Sequence, residues 1–149
     1  MKKKINFIVI GVALIFSLLC CLLNFFSQRK FTKVSISNKT IKAEVADNLA
    51  KRTVGLSERE ELKEKEGMLF IFDKEGHYGF WMLNMKFPID IVWISKNKTI
   101  VGFVENAKPC TYNCTVYKPN KPILYALEVR SGFCKKYNVR SGQKVFFNI

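Results

Sequence analysis

The sequence is poor in the residues on which most catalytic and metal chemistry draws. It holds one histidine, His77, in 149 residues. That argues against a four-ligand zinc site, and no nucleophilic Ser or Cys stands beside His77 to complete a hydrolase triad. There is no C-x-x-C, so a dithiol redox centre is not expected. No acidic residue precedes Glu44, and from Phe31 onward 20 Lys and Arg face 12 Asp and Glu. Yet there is no basic block. Lys39, Lys42, Lys74, Lys86, Lys96 and Lys98 stand singly, as solvated loop and edge positions do, so nucleic acid is not an expected partner. Ser57–Glu66 is crowded with carboxylates but lacks the spacing of a cation site, and reads as a solvated turn or helix. No internal repeat or low-complexity tract is present, and no metal or cofactor is expected.

What is present begins with a hydrophobic run. After a basic flank at residues 1–4, Ile5–Phe26 is broken only by Asn6, Gly11, Ser17 and Asn24. At ~1.5 Å per residue a helix there reaches roughly 33 Å, enough to cross a bilayer core. The run is long for a cleaved signal, and no small-x-small site follows it. Leu18-Leu19-Cys20 resembles a lipoprotein box, but Leu19 is too bulky for the position before the cysteine. The expectation is one transmembrane helix acting as a signal anchor. Residues 27–32 follow as a linker and 33–149 as one β domain. Lys2–Lys4 on one flank nearly balance Arg29, Lys30 and Lys33 on the other, so charge alone barely orients the span. Cys110 and Cys114 lie in a polar, Pro-containing loop at a spacing that can close a small disulfide. The expectation is therefore a domain outside the cytoplasm.

The domain reads as mainly β. Lys33–Ile36 and Ile41–Val45 alternate around Ser37-Asn38-Lys39 as a hairpin. Asp47 is positioned to cap a short helix from Asn48 to Val54 that ends at Gly55. The densest apolar stretch, Gly67–Ser95, divides into strands at Met68–Phe72, Phe80–Leu83 and Ile89–Ile94. Thr99–Glu105 follows a hairpin signal at Lys96-Asn97-Lys98. Ala107–Lys121 is a long loop. Ile123–Val129 is a strand, Ser131–Tyr137 a short helix and Gln143–Phe147 a last strand. About eight hairpin-spaced strands with two or three short helices indicate a compact antiparallel sandwich or barrel.

Several of these pieces form a recognisable series. They are Arg52-x-x-Gly55-Leu56, Gly67-Met68-Leu69-Phe70-x-Phe72, Phe80-Trp81-Met82-x-Asn84 and Pro88-Ile89-Asp90-Ile91. Glu105-Asn106-Ala107, the Cys110…Cys114 loop with Tyr117-x-Pro119, and Gly132 with Gly142 complete it. In this order they resemble the DUF192 family of small bacterial and archaeal proteins. The resemblance implies a compact, mainly-β fold, often behind a signal peptide or anchor, and no established reaction. Ser57 stands where a Met is usual, Leu83 where Lys is frequent, and Cys134 is an addition.

Candidate chemistry gathers in two places. Trp81 with Asn84 suits stacking and hydrogen bonding to a sugar or another planar ligand, while strand alternation sends Phe80 and Met82 to the core. Asp90 and Glu105, on neighbouring strands, suit a general acid–base pair. The plainer reading makes Asp90 an acceptor of backbone N–H groups of the preceding turn, or an ion-pair partner of Arg52. Cys134 is a reactive thiol if exposed and a small hydrophobe if buried. The function expected is a membrane-tethered extracytoplasmic domain binding an envelope glycan or a membrane protein through Trp81, Asn84, Asp90, Glu105 and Asn106. The alternatives are an envelope carbohydrate hydrolase using Asp90 and Glu105, and a scaffold for another membrane protein.

Overall fold

The computed structural model describes residues 9–14, 16 and 29–149. The chain divides into two units, Met1–Lys30 and Phe31–Ile149. In the first, residues 9–14 and 16 are helical. The span expected over Ile5–Phe26 falls largely outside the described residues. Among the described residues no helix is long and apolar enough to cross a membrane.

The second unit is built on six strands: β1 (Phe31–Ile36), β2 (Lys39–Ala46), β3 (Glu66–Gly76), β4 (Ile89–Ile94), β5 (Ile100–Ala107) and β6 (Ile123–Arg130). Two short helices accompany them, α1 (Leu49–Val54) and α2 (Phe133–Lys136). The spatial order is β1-β2-β3-β6-β4-β5. This corrects the eight-stranded antiparallel sandwich or barrel: the sheet has six strands, is mixed, and does not close. β2 and β3 run parallel, because residues 47–65 form a crossover through α1 that returns the chain to the same end of the sheet. The expected strands at 80–83 and 143–147 are reduced to isolated bridges, Phe80 with Tyr117, Leu83 with Cys110, Phe146 with Ser35, and Lys144 with Thr99.

Local chemistry accounts for the turns. Ser37 and Asn38 both take positive φ, as a two-residue type I′ hairpin requires. Asn48 caps α1, its side-chain oxygen accepting from the Lys51 N–H at 2.9 Å, one residue on from the expected Asp47. α1 stops at Gly55, at φ 54 and ψ −131, a combination open in practice only to glycine.

Apolar clusters cover both faces of the sheet. On one, Ile41, Leu69, Val92 and Leu127 pack against Phe133, Val139, Val145 and Phe147. On the other, Met68, Phe70, Ile91 and Trp93 pack under Leu56, Leu62, Phe80 and Met82. β4 is buried throughout, which explains its nearly unbroken apolar run. The C-terminal tail bonds to both ends of the strand series. Ser35 and Phe146 exchange backbone bonds of 2.8 and 2.9 Å, and the Ile100 N–H of β5 donates to the Gln143 carbonyl at 2.9 Å. Those contacts blunt two edges that would otherwise offer free ladder groups.

Gly67 sits closest to its neighbours among the strand glycines. A Cβ there would lie 2.6 Å from the Glu128 carbonyl oxygen. Gly67→Ala is therefore expected to cost about 1–3 kcal/mol through overpacking. Urea unfolding of the full chain checks this; an unchanged midpoint would mean that β3 and β6 separate freely there.

Candidate functional site

A cleft of about 410 Å³ opens on the face covered by α1. One wall is α1 and the turn after it, with Leu49, Arg52, Thr53 and Leu56; the other is the segment around Tyr78–Met85. β3 contributes Phe70, Phe72 and Asp73, and β6 contributes Glu128.

The walls are held by bonds that the sequence alone does not reveal. Arg52 reaches from α1 onto β3, its Nη1 donating to the Ile71 carbonyl at 2.7 Å. Its guanidinium carbon sits 5.5 Å from the Phe72 ring centroid, and Nη2 is 3.8 Å from the exposed Asp73 carboxylate. Its ion-pair partner is thus Asp73 and not Asp90. Phe72 stacks on Tyr78 at 3.6 Å, and Phe70 meets Phe80 edge-on at 5.5 Å. Along 80–83 the side chains alternate: Phe80 and Met82 are buried, while Trp81 (51 % exposed) and Leu83 face outward. The long loop secures this segment from behind. Phe80 and Tyr117 exchange backbone bonds, the Asn84 N–H donates to the Cys110 carbonyl at 3.0 Å, and the Cys110 N–H donates to Met82 at 3.1 Å. Cys110 and Cys114 form a disulfide within that loop. His77 is tied to the same loop by a 2.9 Å contact between Nδ1 and the Pro119 carbonyl.

Glu128 is the residue that the sequence reading missed. It is 7 % exposed, and its neighbours in register are Met68 of β3 and Ile91 of β4. Among the described residues its carboxyl has neither a hydrogen-bond nor an ionic partner, and burial pushes its pKa up to about 8. The signal was available: Glu128 interrupts the apolar run Ile123–Val129, just as Asp90 interrupts its own strand.

The other nominated residues do not converge on the cleft. Asp90 is fully buried, and three backbone groups occupy its oxygens. Oδ1 accepts from Asn106 N–H at 2.9 Å and Gly132 N–H at 3.2 Å, and Oδ2 accepts from Cys134 N–H at 2.8 Å. It thereby joins β4, the end of β5 and the start of α2, where helix N–H groups lack internal partners. The donors lie far along the chain and not in the preceding turn. Glu105 and Asn106 are exposed at the end of β5, with the Asn106 side-chain oxygen accepting from the Ser131 hydroxyl at 3.1 Å. Asn84 is exposed, at φ 58. Cys134 is buried; desolvation, then the Asp90 charge, raises its thiol far above the reactive range. No group of three His, Cys, Asp or Glu is placed to hold a metal ion among the described residues.

Two outcomes follow from these carboxyls. Asp90→Asn turns an acceptor into a donor facing the Cys134 N–H, and should cost about 1–3 kcal/mol, with Asp90→Ala worse; urea midpoints read both. For Glu128 the folded value, about 8, lies above the ordinary 4.5. The folded chain therefore keeps a proton that the unfolded chain gives up. The stability it contributes is full below pH 4.5, falls as pH rises, and is gone above about pH 8. Glu128→Gln should remove that slope, so the variant gains on the wild type between pH 5 and 8 in parallel urea titrations. Parallel curves would show that the acid is not shielded.

No curated protein matches the chain. A solved structure of a protein of unknown function from Novosphingobium aromaticivorans DSM 12444 is 27 % identical, with TM-score 0.70, covering 80 % of this chain and 85 % of that one. A second, described as a "putative transcription regulator" from Sinorhizobium meliloti 1021, is 27 % identical with TM-score 0.71, covering 80 % and 94 %. The model of DUF192, described as Uncharacterized ACR, matches residues 32–147, and the chain belongs to that family.

Proposed function

We propose that residues 31–149 form a ligand-binding module of the cell envelope, tethered by a membrane helix over Ile5–Phe26, with the ligand seated in the cleft beside α1. One observation carries the reading: an apolar cleft of about 410 Å³ with Trp81 open at its rim and a partnerless Glu128 on its floor. That volume lies in the ordinary range for small-molecule sites, which pair apolar walls with a few polar groups. The Cys110–Cys114 disulfide supports an oxidising, extracytoplasmic location. A tether concentrates the module at the membrane surface, which suits a weak binder of an envelope molecule.

Of the surface first nominated, only Trp81 lines this cleft. Hydrolysis by Asp90 and Glu105 is disfavoured, because Asp90 is closed to solvent and committed to backbone donors. The scaffold alternative leaves the cleft without a use. The regulatory role in the name of the Sinorhizobium relative is not carried over, since the lysines here are dispersed.

Labelling of intact cells with a membrane-impermeant maleimide tests the location. The signal should rise only after reduction and be lost in Cys110→Ser/Cys114→Ser, Cys134 being buried. Labelling only after lysis, with no need for reduction, would place the domain in the cytoplasm and overturn the envelope reading.

A further inference from the structure

We propose that the cleft takes an organic ammonium ion, an amine on an apolar body, with Glu128 as its counter-ion. This names the ligand class of the site proposed above and rests on that reading. An unpaired carboxyl in an apolar setting is costly, and here it opens onto a cavity large enough to admit a partner.

No described group of the protein supplies the missing charge. β3 and β4 set Met68 and Ile91 beside Glu128. Beyond Met68, Glu44 of β2 is already in an ion pair with Arg59. Arg52, the cation of the cleft wall, is held by the Ile71 carbonyl, the Phe72 ring and Asp73. The Tyr78 hydroxyl donates to the Lys74 carbonyl at 2.7 Å. Leu83 adds no charge to the rim.

The walls favour the same ligand. Phe70, Phe80 and Trp81 line the cleft, and aromatic faces attract cations. Arg52 on Phe72 is an instance already present in the wall. Because burial raises Glu128 to about 8, the empty cleft holds the acid form at neutral pH. An entering ammonium ion displaces that proton to solvent, the carboxyl O–H bond breaking as the N–H···O pair forms. A neutral ligand leaves the proton in place.

Binding to the full chain in nanodiscs, measured by calorimetry at pH 6, 7 and 8, tests this with three matched probes: 2-phenylethylammonium, 2-phenylethanol and phenylacetate. The amine should bind most tightly and tighten roughly 50-fold from pH 6 to 8, as expected when one proton leaves a group near 8. The alcohol should bind weakly with no pH dependence. Glu128→Gln should abolish the amine's pH dependence and bring its affinity down to that of the alcohol, whose retained binding reports an intact cleft. Equal, pH-independent binding of amine and alcohol by the wild type would overturn the ammonium proposal while leaving a ligand-binding cleft. Preference for phenylacetate would overturn it in favour of an anion at Arg52. Failure of all three probes would remove both readings.

Discussion

The carboxylate of Asp90 joins three parts of the domain that no single ladder connects. It sits on β4 and accepts N–H groups from the end of β5 and the first turn of α2. Hydrogen bonds to a charged acceptor contribute about 1.5–3 kcal/mol each. Full burial makes them obligatory as well as favourable, since a buried carboxyl without donors would bear its desolvation cost uncompensated. Asn106 at φ 54 and Gly132 at φ 87 both donate their N–H groups to Oδ1. With α2 fixed, Phe133 and Cys134 cover one face of the sheet, and the opposite face is free to carry a cleft.

Asp90 and Glu128 show that burial alone does not assign a role to an acid. Both lie on central strands of the same sheet, and both interrupt apolar runs. Asp90 is surrounded by donors and has no route to solvent. Glu128 has only apolar strand neighbours and one open side. The first belongs to the structure because its bonding capacity is spent. The second remains available because nothing in the described chain satisfies it.

Much of this was legible from residue pattern. The hairpin of β1 and β2, the helix ending at Gly55, the buried β4 and the strand over Ile123–Val129 follow from alternation and turn chemistry, which are local. The disulfide spacing was equally readable. The parallel pairing of β2 with β3, and the insertion of β6 between β3 and β4, were not, because both depend on crossovers whose direction no local pattern encodes. Segment 80–83 has the alternation of a strand, but it pairs antiparallel at Phe80 and parallel at Leu83, so no ladder can propagate through it. Of the candidate residues read from the sequence, Trp81 and Arg52 line the cleft. Asp90 and Glu128 each interrupt an apolar strand, and at Glu128 that pattern marks the cleft floor.

The disulfide loop backs one wall of the cleft. In the chain-entropy account a loop of about five residues contributes only ~2 kcal/mol, the low end for such bonds. Its position matters more than that figure. Cys110 exchanges backbone bonds with Met82 and Asn84, and Tyr117 does so with Phe80. The crosslinked loop therefore backs the segment that holds Phe80 and Trp81 against the cleft. Reduction would free Cys114 and the loop tip while leaving the six-stranded sheet bonded as before. Closing the disulfide thus acts on the rigidity of the cleft wall more than on the stability of the fold, and a more rigid wall would lose less entropy on seating a ligand.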